Sequence, residues 1–469
     1  MKLIGKKIAL LFFLCCLISS GQEKVVIFSI NDMHSRIENF SKIKPLIDNE
    51  KAKGNKVFFV SAGDIFSGNP VVDNYSEKGF PIIDLLNRTG LDITVIGNHE
   101  FDYGQNILSD RISQANFPFI CANFSGGKGE LSNVKGFEII EKDGFSVAYI
   151  GAIETGNFGR YPLTHPKKVK GLFFTNPIKV FEDYKMIGKN SDIDLVVALT
   201  HLGKSGDEKL LQNFNYIDLV IGGHSNHVYG KRHGHGYMIM SGKNLEMISK
   251  TTISVYKGEI IDFQFEKIDL SKEGLEKDPN IDLLIQKYKD SPSFYKKIGY
   301  SSVNHTKAET GCFYTEAIRE TTNVDIVIQN NGGIRGTLKK GVITPIDIYT
   351  IDPFGNGLDN FLITPAELSF FLKKYNKKYS ISSRLNIKQK TSGNIEVYRN
   401  GVEIADDEKI SLAMNDYISN TYSEYLPEPL YSYPSTTAEY LIEFLNNNVG
   451  EKLNFENCSE FKNWFYKLN

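Results

Sequence analysis

The chain has 469 residues, with 54 lysines and arginines against 56 aspartates and glutamates and a formal net charge of −2. A chain of this length predicts two or three domains, and so balanced a charge excludes a global electrostatic attraction to nucleic acid. Five cysteines are too few for a disulfide-rich scaffold, and no repeated or low-complexity segment indicates a solenoid or a disordered region.

The first 21 residues have the pattern of a signal peptide. Lys2, Lys6 and Lys7 precede an apolar run over residues 8–18, and Ser-Ser-Gly at 19–21 provides the small residues of a cleavage site. The apolar run is shorter than a transmembrane helix requires. We therefore expect an exported protein, periplasmic or extracellular, with no stable membrane span after cleavage.

A lipid anchor ranks second to simple cleavage. Leu14 is a poor match to the small residue that precedes a lipidated cysteine, here Cys15 or Cys16.

Loss of three lysines with the signal peptide leaves 51 basic against 56 acidic residues, a formal charge of −5. The cysteines that remain allow one disulfide and leave at least one free thiol. They are Cys121, Cys312 and Cys458.

In the first half of the chain, five apolar runs each stop at a group of Asp, His or Asn residues. In chain order the runs and their polar residues are 25–30 with Asp32 and His34, 57–60 with Asp64, 93–96 with Asn98 and His99, 195–199 with His201, and 219–221 with His224 and Asn226. Between the runs lie segments in which apolar residues recur with helical spacing. This alternation predicts an α/β sandwich for the first half of the chain, up to about Phe265. A sheet would then bring the polar groups to one edge.

These residue types suit a pair of metal ions. A carboxylate can bridge two metals, a neutral imidazole binds through one nitrogen, and an amide oxygen adds a ligand without charge. Two divalent cations roughly 3.5 to 4 Å apart can bind phosphate oxygens and provide a hydroxide nucleophile. The set therefore indicates a two-metal phosphoesterase with zinc or manganese. Four other histidines are expected to be solvated loop residues, namely His165, His233, His235 and His305. His227 is the one candidate for a further ligand.

The second half begins with a change of composition. From Asp269 to about Lys297 charged residues surround a few spaced apolar ones, which predicts an amphipathic connecting helix. An apolar strand then runs from Ile326 into Asn330-Asn331-Gly332-Gly333, with Arg335 beyond. Such a turn allows a close backbone approach to a ligand and offers a cation, although Asn-Gly sequences also form ordinary hairpin turns.

Together these motifs resemble the secreted 5'-nucleotidase family of the calcineurin-like metallophosphoesterases, over nearly the whole chain after the signal peptide. Gly-His-Ser-Asn at 223–226 is similar to the nucleotidase variant of the family's Gly-His-x-His motif. The resemblance implies a four-layer α/β/β/α metallophosphoesterase sandwich at 24–268, a connecting helix at 269–297 and a smaller α+β nucleotide-binding domain at 298–469.

The resemblance also implies the roles of the polar residues. One metal would be bound by Asp32, His34, Asp64 and Asn226, and the other by Asp64, Asn98, His201 and His224. Asp64 would bridge the two metals. His99 would stabilise the transition state at the phosphate, and Asp102 would hydrogen-bond and orient that imidazole.

In the second half the resemblance implies that Asn330 and Arg335 contact the nucleoside and that Phe354, in an Asp-Pro-Phe-Gly-Asn loop, stacks on the base. The second stacking partner would be Tyr417, at the end of a strand over 410–417. The chain departs from the family pattern at Asn331, where a Gly is usual, at Lys307, where an Arg is usual, and at 418–422, which replaces a Gly-Gly-Asp-Gly turn.

The expected activity is hydrolysis of nucleoside 5'-monophosphates to nucleoside and phosphate by a metal-bridging hydroxide. The alternatives are a 2',3'-cyclic-nucleotide 2'-phosphodiesterase with 3'-nucleotidase activity, a UDP-sugar hydrolase, a nucleotide-binding surface protein without turnover and, more remotely, a thiosulfohydrolase of related fold. The expected partner is a small-molecule nucleotide and no nucleic acid, with the oligomeric state left open.

Overall fold

The computed structural model describes residues 22–156, 159–290, 292–375, 379–389 and 395–448. The predicted signal peptide and Cys458 lie outside the described residues. The chain forms two compact units, of which the first comprises the described residues up to 67, 75–164 and 168–288, and the second comprises 68–74, 165–167 and those from 289 onwards. Among the described residues, no helix combines the length and apolar composition that a membrane crossing needs.

The strands of the first unit are β1 (Gln22–Ile30), β2 (Lys56–Ser61), β3 (Ile93–Val95), β4 (Phe119–Ile120), β5 (Phe124–Gly126), β6 (Phe137–Lys142), β7 (Phe145–Ile153), β8 (Leu172–Phe174), β9 (Leu195–His201), β10 (Leu219–Gly222), β11 (Val228–His233), β12 (Gly236–Ser241), β13 (Met247–Tyr256) and β14 (Glu259–Asp269). The strands of the second unit are β15 (Gly299–Ser301), β16 (Ile326–Asn330), β17 (Gly341–Ile343), β18 (Leu358–Ile363), β19 (Tyr379–Ser383), β20 (Asn386–Gln389), β21 (Ile395–Arg399), β22 (Val402–Glu403), β23 (Ile410–Asn415) and β24 (Tyr431–Ser432).

The α-helices, in chain order, are α1 (Phe40–Ala52), α2 (Pro70–Asp73), α3 (Phe80–Thr89), α4 (Gln105–Gln114), α5 (Lys204–Asn213), α6 (Pro279–Lys289), α7 (Lys307–Thr322), α8 (Pro345–Ile351), α9 (Pro365–Lys374), α10 (Asp416–Thr421) and α11 (Thr437–Asn447). Helix α2 belongs to the second unit.

Two six-stranded sheets form the centre of the first unit. Their strand orders are β14-β13-β1-β2-β3-β4 and β11-β12-β10-β9-β7-β6. Strands β1 to β4 are parallel to their neighbours in that series, as are β7, β9, β10 and β12, whereas the outer pairs are antiparallel. Parallel pairing places the carboxyl ends of β1, β2 and β3 at one edge and those of β9 and β10 at one edge of the other sheet.

The buried side chains of β9 show how the layers stack. Val197 and Leu199 lie in a core that also contains Val25 and Ile27 of the other sheet, so the two sheets pack face to face. The alternate residues of β9 pack on the opposite face against Leu210 of α5. Burial on both faces explains why these strands read as continuous apolar runs, and the mixed α/β sandwich agrees with the expected fold class.

The second unit is built on the sheet β19-β16-β23-β18-β24, in which β16 and β23 are parallel and the other pairs antiparallel. One face, with Ile328 and Met414, packs against α9 and strands β20 and β21. The other face, with Val327 and Ala413, packs against α7 and α11. Cys312 of α7 is disulfide-bonded and Cys121 is a free, buried thiol, in agreement with the expectation of one disulfide and one free thiol.

Two expected elements differ from the structure. The connecting helix is confined to α6, because Asp269 still belongs to β14, and the first unit continues to Tyr288. Tyr288 donates a hydrogen bond to Asp84, which keeps α6 on the first unit. The strand expected over 410–417 ends at Asn415, whose side chain caps α10, so Tyr417 lies on a helix.

One buried ion pair makes the stability of the first unit depend on pH. Glu50 of α1 accepts hydrogen bonds from Lys53 and Asn55 and pairs with Lys250 of β13 at 2.9 Å. Burial acts to raise the pKa of Glu50, but these partners lower it from 4.5 to about 2. A carboxyl group whose folded pKa is lowered stabilises the fold above its unfolded pKa and loses this effect as the pH falls through the folded pKa.

We therefore expect Glu50→Gln to lower the free energy of unfolding at pH 7 by about 2 kcal/mol, measured by urea denaturation. The difference from wild type should shrink between pH 4.5 and pH 2. Asp48→Asn, which removes the exposed pair with Lys44, is the control and should change stability by less than about 0.5 kcal/mol. A pH-independent loss in Glu50→Gln would contradict the electrostatic account.

Candidate functional site

The strand ends of the first unit gather the expected polar residues. Asp32 follows β1, Asp64 follows β2 and His201 ends β9, and atoms of these three side chains lie within 4.8 Å of one another. A second group with the same spacing consists of His34, Asp64 and His99. Asp64 is common to both groups. This sharing is the geometry that a carboxylate bridging two metals requires.

The loops that carry these residues have an unusual backbone. Non-glycine residues rarely adopt positive φ, yet five of the expected ligands do so, with φ between 48° and 73°. They are Asp32, His34, Asp64, His224 and Asn226. Backbone hydrogen bonds hold the two loops together, since the N–H of Asp32 donates to Gly63 O and the N–H of His34 donates to Asp64 O. Strained conformations of this kind cluster at functional sites.

Glycines leave the space that the side chains occupy. A Cβ atom on Gly97 would lie 2.3 Å from Oδ1 of Asp64. A Cβ atom on Gly223 would lie 2.4 Å from the carbonyl oxygen of Ala62 and 2.7 Å from Nδ1 of His201. Both distances are shorter than atoms tolerate, so only glycine permits the close approach of these loops.

The protonation of His201 tests whether the cluster suits a cation. Its Nδ1 lies 2.8 Å from the carbonyl oxygen of Ala62, which can only accept, so Nδ1 carries the proton of the neutral ring. Nε2 faces Oδ2 of Asp64 at 3.1 Å. Burial acts to lower the pKa of His201, but the Asp64 carboxylate raises it to about 10, so Nε2 also carries a proton when no metal is bound. A divalent metal ion bound by Nε2 and Oδ2 would take the place of this proton.

Asn98 and His224 add candidate metal ligands to the same cluster. Oδ1 of Asn98 lies 3.2 Å from Nδ1 of His224, and the N–H of His224 donates to Oδ2 of Asp32 at 2.8 Å. Nδ1 of His34 lies 3.2 Å from the carbonyl oxygen of Ser67, and the ring belongs to the second group of candidate ligands. The imidazole nitrogens and the amide and carboxylate oxygens of this cluster are ligand atoms that suit divalent cations.

The two aspartates differ in their electrostatics. Burial raises the pKa of Asp32 to about 6. Burial acts in the same direction on Asp64, but the imidazoles of His201 and His99 outweigh it and hold the pKa of Asp64 below its usual range. Asp64 is therefore ionised at neutral pH, as a bridging ligand must be.

His99 is held by a buried carboxylate beside the cluster. Its Nδ1 lies 2.6 Å from Oδ2 of Asp102. Ser67 also donates to Oδ2 of Asp102, and Thr164 donates to Oδ1. Burial acts to raise the pKa of Asp102, but the charge and hydrogen bond of His99 lower it to about 2. With Nδ1 engaged, Nε2 of His99 lies 3.9 Å from Oδ2 of Asp64. The ring thus presents Nε2 towards the cluster.

Glu100 belongs to this site although sequence reasoning gave it no role. Its fully buried carboxylate accepts hydrogen bonds from the backbone N–H groups of Asp64 at 2.9 Å and Ile65 at 2.7 Å, and from that of Gly97. Asn31 is a second omission, since it donates to Asp32 and ties it to β12 and the following turn. Their positions next to expected ligands were the only signal in the sequence.

Two histidines that were expected to be solvated are buried, and one expected ligand is exposed. Asn226 is exposed on the turn after His224, and no contact places it against the cluster. His165 and His305 are buried, with 6% and 4% of their surface exposed, so the prediction that they are solvated was wrong. His165 accepts a hydrogen bond from the N–H of Lys167, and His305 lies 3.4 Å from the hydroxyl of Ser301. Tertiary packing, which their polar sequence context does not encode, buries both rings. His227 is exposed.

The residues expected to bind a nucleoside lie in the second unit. The guanidinium of the exposed Arg335 lies 5.6 Å from the ring centre of the half-buried Phe354. Asn330, at the end of β16, accepts a hydrogen bond from Asn415, and Asn415 caps the helix that carries Tyr417. The structure thus pairs Arg335 with Phe354 and connects Asn330 to the Tyr417 helix through one intervening side chain.

Two family models match the chain. That of the calcineurin-like phosphoesterases matches residues 25–228, and that of the 5'-nucleotidase C-terminal domain matches residues 291–427. A curated relative, the endonuclease YhcR of Bacillus subtilis, is 25% identical over 467 residues that cover 86% of this chain. The chain spans only 37% of that relative.

A 5'-nucleotidase of Vibrio parahaemolyticus is 25% identical over 405 residues, which cover 71% of each chain. Among solved structures, a 5'-nucleotidase precursor from Thermus thermophilus superposes with a TM-score of 0.77 at 18% identity. The superposition covers 92% of this chain and 98% of the other. At this identity the structural similarity is evidence for the fold alone.

The close approach at Gly97 leads to a prediction about metal binding. Gly97→Ala would push a methyl group onto Oδ1 of Asp64 and displace this carboxylate, so we expect the purified variant to lose most of its bound divalent metal. Elemental analysis after dialysis measures the metal content. Gly332→Ala, whose Cβ would meet nothing nearer than 3.6 Å, is the matched control and should keep wild-type content. Full metal content in a folded Gly97→Ala protein would count against Asp64 as a ligand.

Proposed function

The chain belongs to the calcineurin-like phosphoesterases that carry a 5'-nucleotidase C-terminal domain, and on this premise we propose that it hydrolyses nucleoside 5'-monophosphates to nucleoside and phosphate. The observation that carries the proposal is the position of Asp64, which is shared by two groups of ligand atoms with the His99–Asp102 pair beside them. The similarity to a 5'-nucleotidase over 71% of the chain supports the choice of substrate.

We assign the metal ligands as the sequence predicts. One site would be held by Asp32, His34, Asp64 and Asn226, and the other by Asp64, Asn98, His201 and His224. Zinc or manganese suits this mixture of donors. Two such ions, when bound, supply positive charge at the phosphate and activate water at neutral pH. The buried, ionised Asp64 holds its negative charge between the two sites, and the Nδ1–H of His201 stays on Ala62 so that Nε2 is free to bind.

His99 is the group that we assign to the reacting phosphate. Its Nδ1 bonds to Asp102, whose low pKa keeps that carboxylate ionised across the physiological range. The ring is thereby fixed with Nε2 directed to the cluster. From there Nε2–H can donate to a phosphoryl oxygen as charge develops, or to the departing 5'-oxygen.

The second unit would bind the nucleoside. Phe354 and Tyr417 can stack on the base, and such stacking contributes roughly 1 to 3 kcal/mol per base. Asn330 and Arg335 offer hydrogen-bond donors. Helix α10 stands where the family has a glycine turn, and this difference keeps a 2',3'-cyclic phosphodiesterase with 3'-nucleotidase activity, or a UDP-sugar hydrolase, as the second candidate.

We also propose that the protein works outside the cytoplasm, in the periplasm or the extracellular space. The signal-like pattern of the first 21 residues supports this location. The disulfide at Cys312 is consistent with it, because such bonds persist in oxidising compartments.

Phosphate release from the purified mature protein tests the function. The substrates are AMP, 3'-AMP, 2',3'-cyclic AMP, UDP-glucose and an aryl phosphate, each with manganese or zinc and with an EDTA control. We expect EDTA-sensitive release that is strongest with AMP. A preference for another substrate would retain the metal chemistry and overturn the assignment of the nucleoside site, and no release from any of them would favour a nucleotide-binding protein without turnover.

Two variants separate metal binding from turnover. Asp64→Asn should lose both metals together with activity, because it weakens the ligand that the two sites share. His99→Ala should keep its metal content and lose about 10²- to 10³-fold in kcat, since it removes a donor used in the transition state. Metal content and kcat for AMP are measured on the same preparations. The reverse pattern, with metal lost in His99→Ala and kept in Asp64→Asn, would refute these roles.

A further inference from the structure

Asn415 connects two parts of the second unit that we assign to nucleoside binding. It is the last residue of β23 and is fully buried. Its Oδ1 accepts the backbone N–H of Ile418 at 2.9 Å, which caps α10. Its Nδ2 donates to Oε1 of Gln329 and to Oδ1 of Asn330, both at 2.7 Å. One side chain therefore contacts both the end of β16 and the helix that carries Tyr417.

The orientation of this amide is fixed by chemistry. A backbone N–H can only donate, so the atom of Asn415 that faces Ile418 must be the oxygen. The nitrogen then faces the other two side chains, and each of these must present its own oxygen. Asn330 accordingly points Oδ1 inwards, and its Nδ2 is turned away from Asn415. No hydrogen-bond partner of that Nδ2 is found within the part of the chain that the structure describes.

The paired glycines of the turn leave room for this arrangement. A Cβ atom on Gly333 would lie 2.5 Å from Nε2 of Gln329 and 2.9 Å from Oδ1 of Asn330. Any larger residue at Gly333 would push the Asn330 amide out of place. Asn330 itself is partly exposed, so its nitrogen is available to a ligand.

We propose that Asn415 is a positioning residue for nucleoside recognition, which fixes the Asn330 amide with its two N–H donors outwards. Arg335, in the same turn, has only donors as well. The site therefore selects a flat ring with a hydrogen-bond acceptor in its plane, such as a ring nitrogen or a carbonyl oxygen of a nucleobase. The same side chain holds the start of α10. This inference rests on the proposed function.

The test replaces the donor of Asn415 and keeps its cap. In Asn415→Asp one carboxylate oxygen still accepts the N–H of Ile418, since Asp and Asn cap helices equally well. The other oxygen draws the amide nitrogens of Asn330 and Gln329 inwards, which turns the carbonyl of Asn330 towards the ligand. Asn415→Ser also keeps a cap through Oγ and removes the Nδ2 amide that donates to Asn330, so it serves if the aspartate variant does not fold.

The readout is the KM for AMP divided by the KM for ribose 5-phosphate, which lacks a base. We expect this ratio to rise about tenfold in Asn415→Asp and by a similar factor in Asn330→Ala, as expected for the loss of one hydrogen bond. The double variant Asn415→Asp/Asn330→Ala should show about the same tenfold rise and not the hundredfold product, because both changes remove the same contact.

Thr364→Ala is the matched control. It removes the cap of α9 in the same unit, where Thr364 accepts the N–H of Glu367 at 3.1 Å, and it should lower the melting temperature without changing the KM ratio. If the Asn415 variants lower the melting temperature and leave the KM ratio unchanged, Asn415 is a cap alone. If the two changes multiply, Asn415 does not act through Asn330. Either result overturns the inference. A wild-type ratio close to one would instead show that no base is recognised, which overturns the proposed nucleoside site together with the inference.

Discussion

The candidate metal site depends on the hydrogen bonds that the buried carboxylate of Glu100 accepts from backbone N–H groups. Its partners lie in the loop after β2, at Asp64 and Ile65, and at Gly97 in the loop after β3. Loop backbone that is buried must find hydrogen-bond partners, and here one side chain provides several of them. Glu100 thereby holds the loop backbone that carries Asp64, and the Asp64 carboxylate itself accepts the backbone N–H of His99 at 2.9 Å.

The second unit uses neutral amides for a comparable task. Gln329, Asn330 and Asn415 form a connected set in which the direction of each hydrogen bond follows from the backbone N–H of Ile418. The carboxylates and imidazoles of the candidate metal site belong to the first unit. For the base that we propose to bind at the second unit, the direction of hydrogen bonds matters more than charge, because a neutral base is distinguished by where its donors and acceptors lie.

The strands that end in Asp32, Asp64 and His201 could be predicted from sequence because both their faces are buried. They read as apolar runs, and the polar residue that ends each run is conspicuous. The start of α10 could not be predicted in the same way. Residues 410–417 suit a strand, and only the cap made by Asn415 ends it. Glu100 looks like any surface glutamate until the loop after β2, 36 residues earlier, is folded against it.

The positive φ angles of the ligand loops have a consequence for the choice of metal. Among residues with a side chain, Asn, Asp and His are those that adopt this backbone region most readily, and β-branched or bulky residues are largely excluded. The five expected ligands with positive φ are drawn from these three types, and Ser35 and Ser67 in the same loops also have positive φ. The backbone therefore limits which ligands can be encoded before any metal is bound. Loops of another shape would admit a wider range of ligands, and this chain's loops favour oxygen and imidazole donors and hence cations of hard to borderline character.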